Sequence, residues 1–298
     1  MQIGLIGLGK MGFNLALNAK DNHHEVIAYD IDQASVKKIE AQGIQTVSTI
    51  ESLCSTFQAK RVIWLMIPAG ELVDQTIQTL KPLLQKGDII IDGGNSFFKD
   101  SIRRGEALST SGIGFLDCGT SGGQEGARAG ACTMVGGDKD SYDYCSKLFQ
   151  EISVPDGHLY CGPCGSGHFV KMIHNGIEYG MMQSIAEGFE VMQKSEFNLN
   201  LEKVAKVWNH GSVVRSWLME LTERALSKDA NLDQIKGVMH SSGEGKWTLD
   251  TAMERQIATP VIALSVLMRY RSLETDTFSG KIVAALRNEF GGHAVDKK

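Results

Sequence analysis

Met1-Gln2-Ile3-Gly4-Leu5-Ile6-Gly7-Leu8-Gly9-Lys10-Met11-Gly12 opens the chain, an apolar run that passes directly into three glycines spaced Gly-x-Gly-x-x-Gly. A buried strand feeding a helix through such a turn is the context in which this spacing binds a dinucleotide. Gly7 permits the tight turn, Gly9 lets the backbone approach a pyrophosphate, and Gly12 lets the helix pack closely on the strand. The helix N-terminus then faces the anion. A glycine-rich strand–helix turn with no ligand would carry the same letters. Asp30 weighs against it: it ends the next apolar run, where an acidic side chain can accept hydrogen bonds from the adenosine ribose. A carboxylate there repels a 2′-phosphate, and the following Ile31-Asp32 supplies no Arg to neutralise one. NAD is therefore expected over NADP, held by Gly7, Leu8, Gly9, Lys10, Met11, Gly12 and Asp30.

Working outward, short apolar runs alternate with amphipathic stretches: QIGLIGL, EVIAYD, RVIWLMI, DIIIDGG, GIGFLDC and ACTMVGG. That is the strand–helix rhythm of a parallel sheet with covered faces. Beyond the stretch Cys161–Gly167 the periodicity becomes helical and β-branched runs disappear. The expected fold is α/β plus all-α: a Rossmann-type domain over residues 1–162 and an all-helical domain over 163–298.

The composition is that of an ordinary globular protein, 42% hydrophobic and 22% charged, with a formal net charge of -5. No basic run could track a phosphate backbone, which excludes nucleic acid as an expected partner. The opening lacks a basic region and a small-residue cleavage site, and no apolar run approaches the roughly 18 residues of a membrane helix. A cytoplasmic protein with no membrane attachment is expected. Six cysteines in a chain of 298 residues are too sparse for a disulfide scaffold. Cys161-Gly162-Pro163-Cys164 has the four letters used by thioredoxins, but helices follow where that fold would need strands. No second pair stands at zinc-ligand spacing, and no metal is expected.

In His168-Phe169-Val170-Lys171-Met172-Ile173-His174-Asn175-Gly176-Ile177-Glu178-Tyr179, the polar residues Lys171, His174, Asn175 and Glu178 fall at i, i+3, i+4 and i+7 and share one helix face. An ordinary solvated stripe would show the same spacing. The glycines Gly176, Gly180 and Gly188 each cost about 1 kcal/mol of helix stability relative to Ala, which suggests close packing against something. Lys and Glu two turns apart suit a reaction needing a base and an acid with a substrate between them.

Together these motifs resemble the 6-phosphogluconate dehydrogenase family, in its short form, from Gly4 to the C-terminal tail. Ile67-Pro68-Ala69-Gly70 is similar to the family's second cofactor loop, and Asp92-Gly93-Gly94-Asn95-Ser96 to a segment whose Asn touches cofactor and substrate. Ser121-Gly122-Gly123 resembles its substrate-carboxylate loop. The resemblance implies Lys171 as base, Glu178 as acid, and His174, Asn175 and Tyr179 as substrate ligands. It also implies Arg269 as a phosphate ligand, with Arg287 and His293 as a tail pair reaching a partner subunit's site. Two departures stand out. Ser242 and Glu244 occupy positions where long members carry a phosphate-binding Lys and Thr, and only one helical unit fits in this length. The implied activity is oxidation and decarboxylation of 6-phosphogluconate to ribulose 5-phosphate and carbon dioxide, by a homodimer or higher oligomer. The alternatives are a β-hydroxyacid dehydrogenase acting on a small unphosphorylated acid such as 3-hydroxyisobutyrate, and a non-catalytic dinucleotide-binding sensor.

Overall fold

The computed structural model describes residues 1–291 and 294–296. It divides into two compact units, Met1–His174 and Asn175–Lys298. In the first, β1 (Gln2–Ile6), β2 (Glu25–Tyr29), β3 (Gln45–Thr46), β4 (Val62–Leu65), β5 (Ile89–Asp92), β6 (Gly114–Ser121), β7 (Ala131–Gly137) and β8 (Ser153–Gly162) form one sheet in the order β3-β2-β1-β4-β5-β6-β7-β8. Helices α1 (Lys10–Asp21), α2 (Gln33–Glu40), α3 (Ile50–Ser55), α4 (Glu71–Leu80), α5 (Phe98–Ser109), α6 (Gly123–Ala129) and α7 (Lys139–Ile152) connect the strands.

The central strands are apolar throughout because both their faces are covered. Every residue of β4 and β5 is buried. Ile3, Leu5, Val62 and Trp64 belong to one core, where Trp64 meets Phe149 edge-on at 5.5 Å. Ile6, Ile63, Leu65 and Ile90 belong to the other. The alternation follows the period of two along a strand. Strand order reverses between β1 and β4, and such a switch opens a crevice beyond the strand C-termini. The glycine loop after β1 lies at that point.

All six apolar runs read from the sequence are strands, and two further strands lacked their signal. β3 has only two residues. β8 carries Pro155 and Gly157, and its pairing with β7 shifts register between Ala131↔Ser153 and Thr133↔His158, so Val154–Gly157 interrupts the ladder. As the last strand of the sheet it can hold a proline that a central strand could not. The sheet is parallel except for the β6–β7 pair, which is antiparallel.

Helix α8 runs unbroken from Ser166 to Gln193. Its start is fixed by Asp117, a fully buried residue of β6 whose carboxylate accepts from Gly165 N at 2.7 Å and His168 N at 2.8 Å. These bonds satisfy backbone donors that have no partner within the helix. Gly119 of β6 approaches so closely that an added Cβ would lie 2.3 Å from Lys171 Cβ. The first turns of α8 therefore belong to the sheet unit, and the compact units divide inside this helix, past the Gly162 boundary read from the sequence.

The second unit holds the rest of α8 with α9 (Leu201–Asn209), α10 (Trp217–Lys228), α11 (Glu244–Glu254), α12 (Pro260–Ser272) and α13 (Phe278–Gly291), and no strand among the described residues. Phe189, Ala205, Met219 and Leu226 form its core, with Trp208 edge-on to Phe189 at 5.8 Å. Gly176 and Gly180 meet the expected close neighbours: an added Cβ would lie 2.7 Å from Thr248 of α11 at the first and 3.1 Å from Val261 of α12 at the second. Gly188 does not, since it faces open space.

Candidate active site

The turn after β1 meets the requirements for a bound dinucleotide. Gly7 has φ +104°, and a Cβ there would lie 2.4 Å from Met66 O. A Cβ on Gly12 would lie 2.0 Å from Gly7 O, so α1 rests directly on the turn. A Cβ on Gly9 would meet nothing within 4 Å, which leaves an open cradle at the helix start. Gly9 caps α1 without a side-chain hydrogen bond, and the first amides of the helix, beside exposed Lys10 and half-buried Met11, are presented to an anion. Leu8 is buried under the turn and donates its N–H to Asp30 Oδ2. The other oxygen of Asp30 accepts from Asp32 N at 2.7 Å. The carboxylate is thus fixed at the end of β2, half-buried, beside the glycine loop.

Two further loops line the C-terminal ends of β4 and β5. Ile67, Pro68 and Ala69 follow β4, and a Cβ on Gly94 would lie 2.5 Å from Ile67 O, so the 92–96 segment lies backbone against backbone on this loop. Asn95 adopts φ 51°, a left-handed conformation uncommon outside glycine, and its Oδ1 accepts from Thr120 N at 3.3 Å. Beneath both loops lies Arg104, a residue the sequence reading passed over. Its buried guanidinium donates to Asp92 (3.1 Å), Ser96 Oγ (3.0 Å), Asp74 (2.8 Å) and Gly70 O (2.9 Å). Such a forked donor matches several acceptors at once in a way a lysine could not. In sequence it is one of two adjacent arginines on an amphipathic helix, and nothing there separates Arg104 from exposed Arg103. The Arg104 hydrogen bond, reinforced by Arg103, holds the Asp74 carboxyl down at about 2.

On α8, Lys171 is 5% exposed. Its Nζ lies 3.3 Å from His174 Nδ1, and His174 Nε2 lies 3.2 Å from Ser121 Oγ at the end of β6. Lys171, His174 and Ser121 are thereby joined in a line of hydrogen bonds. Gly122 and Gly123 follow Ser121 with φ of 112° and 58°, turning the chain into α6. Asn175 and Glu178 continue the same helix, both half-buried. His168 is buried, with Nδ1 2.8 Å from Ser101 Oγ.

Within the helical unit, Tyr179 is 6% exposed and donates its hydroxyl to Ser242 O at 3.3 Å. Arg269 of α12 stacks on the Tyr179 ring, its Cζ 3.7 Å from the centroid, and donates to His240 O at 3.2 Å. Glu244, at the first turn of α11, is 8% exposed, and its Oε2 has no hydrogen-bond partner. A Cβ on the neighbouring Gly245 would lie 2.5 Å from the Tyr179 ring, so Tyr179, Ser242, Glu244 and Arg269 belong to one cluster. Arg287 lies exposed on α13, and His293 lies outside the described residues.

The Cys161–Cys164 pair does not have the character of a redox couple. Burial pushes the Cys161 thiol up and the Cys164 thiol up to about 12, opposite to the low value that thiol exchange requires. Cys164 Sγ instead donates to Ser101 O at 3.0 Å.

Comparison with known proteins identifies the family. Residues 2–163 match the NAD binding domain of 6-phosphogluconate dehydrogenase, and residues 167–298 match the 6-phosphogluconate dehydrogenase C-terminal domain. YqeC of Bacillus subtilis, provisionally named a 6-phosphogluconate dehydrogenase, is 58% identical over the whole of both chains. The NAD(+)-dependent, decarboxylating 6-phosphogluconate dehydrogenase of Haloferax volcanii is 41% identical over 100% of this chain and 99% of its own. The 6-phosphogluconate dehydrogenase of Plasmodium falciparum, solved with NADP+ and with its substrate, superposes with a TM-score of 0.85 at 32% identity, covering 100% of this chain and 67% of that one. With a glycine cradle at the switch point, a buried lysine on the long helix and both family domains end to end, the chain belongs to the 6-phosphogluconate dehydrogenase family of NAD(P)-binding oxidoreductases.

Proposed function

We propose that this protein catalyses the NAD-linked oxidative decarboxylation of 6-phosphogluconate to ribulose 5-phosphate and carbon dioxide. The observation that carries this reading is the buried amine of Lys171, pressed against β6 and hydrogen-bonded to His174. Lys171 removes the hydroxyl proton of the carbon β to the substrate carboxylate as that carbon is oxidised. NAD, which Gly7, Leu8, Gly9, Lys10, Met11, Gly12 and Asp30 would hold, would supply the hydride acceptor when bound. The β-keto acid loses carbon dioxide because the new carbonyl accepts the electron pair of the breaking bond, and Lys171 returns its proton to that oxygen. Glu178 protonates the enediol carbon, and Lys171 takes up the hydroxyl proton as the ketone forms.

Asp30 sets the cofactor preference, since its fixed carboxylate would face the 2′-phosphate of NADP. Ser121, Gly122, Gly123, Asn95, His174, Asn175 and Tyr179 hold the sugar acid. Arg269, oriented by its stack on Tyr179, takes the phosphate. The exposed apolar side chains Phe278, Ile282, Val283 and Leu286 of α13 support a homodimer or larger assembly, in which Arg287 reaches a second copy. The mass measured by light scattering is expected at or above that of a dimer.

Glu244 favours a second reading. A buried carboxylate in the Tyr179–Arg269 cluster repels a phosphate, as would suit a β-hydroxyacid dehydrogenase acting on a small unphosphorylated acid. Formation of reduced nicotinamide from 6-phosphogluconate, gluconate and 3-hydroxyisobutyrate, each with NAD and NADP, tests both readings. Turnover confined to 6-phosphogluconate with NAD is the expected result. Turnover of only an unphosphorylated acid selects the second reading.

A further inference from the structure

The proposed reaction leaves a proton to be moved. Through one turnover Lys171 takes the substrate hydroxyl proton, lends it to the carbonyl oxygen during decarboxylation and recovers it, while Glu178 gives its own proton to carbon. At the end Lys171 is protonated and Glu178 ionised, the reverse of the states in which they began. Lys171 must therefore lose one proton before the next cycle, yet at 5% exposure it has almost no surface from which to release one to water.

A route is present beside it. Lys171 Nζ lies 3.3 Å from His174 Nδ1, and His174 Nε2 lies 3.2 Å from Ser121 Oγ. Unlike Lys171, both His174 and Ser121 are half-buried. An imidazole can accept at one nitrogen while donating at the other, so it can pass a proton without rotating. We propose that His174 relays the proton of Lys171 through Ser121 to solvent, resetting the base after each turnover. This rests on the reading of Lys171 as the base. The ammonium N–H of Lys171 gives its proton to Nδ1 of the neutral ring. The resulting imidazolium releases the proton on Nε2 to Ser121 Oγ, whose own hydroxyl proton passes to water. Lys171 ends neutral, water has gained one proton, and no electron is transferred. The ring regains its starting tautomer by exchange with water once product has left.

His174→Asn tests the relay, because its amide can still hydrogen-bond Lys171 but cannot pass a proton onward. Turnover of 6-phosphogluconate is expected to fall about a hundredfold, in the range typical of lost proton transfer. Because His174 also holds the sugar acid, KM for the substrate is expected to rise as well, and the relay is read from kcat at saturating substrate. Added imidazole should restore a large part of kcat. Retention of near wild-type kcat, or a loss that imidazole does not restore, overturns the relay whatever KM does. NAD binding followed by fluorescence reports whether the variant folds. If it does not, the wild-type enzyme decides: kcat that curves with the deuterium fraction of the solvent supports two protons in flight, and a linear or absent dependence overturns them. An active wild type with an unrescued variant sinks the relay alone. A wild type inactive on 6-phosphogluconate sinks the functional reading, and the relay with it.

Discussion

The roles proposed for Lys171 and Asp30 differ, and conservative substitutions separate them. Lys171→Met keeps the length and apolar stem of the side chain in its tight contact with Gly119 and removes only the amine. Turnover is expected to fall at least about a thousandfold, within the range assigned to general acid–base catalysis. NAD affinity by fluorescence titration should stay near wild type, and substantial residual turnover would remove Lys171 from the base role. Asp30→Asn preserves an acceptor for Leu8 N and deletes the charge. With the repulsion of a 2′-phosphate relieved, the NAD to NADP ratio of kcat/KM should fall about tenfold or more, equivalent to roughly 1.4 kcal/mol. An unchanged ratio would place the discrimination elsewhere.

At the scale of elements, Arg104 holds α4, α5 and the loops after β4 and β5 together from below. Arg104→Met leaves the fully buried Asp92 without its cation. Breaking such a pair from one side costs about 3–5 kcal/mol, so a marked fall in Tm is expected. The loop carrying strained Asn95 should loosen as well, lowering kcat in addition to stability. A variant with a lowered Tm but wild-type kcat would show that the clamp serves folding alone. Arg104 also shows where legibility in the sequence ends. The glycine turn, the six apolar strands and the helical second half were readable because each rests on local spacing. The same holds for the polar face of α8, whose members Lys171 and His174 do hydrogen-bond. β8 was hidden by Pro155 and Gly157, tolerated only because the strand closes the sheet. Arg104 and Asp117 were hidden because their partners are remote along the chain, and Arg104, charged and on an amphipathic stretch, reads as a solvated residue. Gly188 misled in the opposite sense, having the spacing of a packing glycine but no neighbour.

For the whole molecule, acid should loosen the fold through Asp74. Its carboxyl is held at about 2, against an ordinary 3.8, by Arg104 first and Arg103 second. A depressed value means the stabilisation is complete above the ordinary carboxyl range and is lost as pH falls through the folded value. The Tm gap between wild type and Asp74→Asn should thus be constant above about pH 4, narrow below it and vanish near pH 2. A gap independent of pH would show that the ion pairs contribute nothing. A different kind of consequence follows from the unbroken helix α8. A cut after Gly162 strips the buried Asp117 carboxylate of the two amides it holds. A cut between His174 and Asn175 severs a helix in mid-course and leaves its last carbonyls unpaired. Neither point offers a clean crossover for recombination, so a chimera joining halves of two relatives at either one is expected to fold poorly.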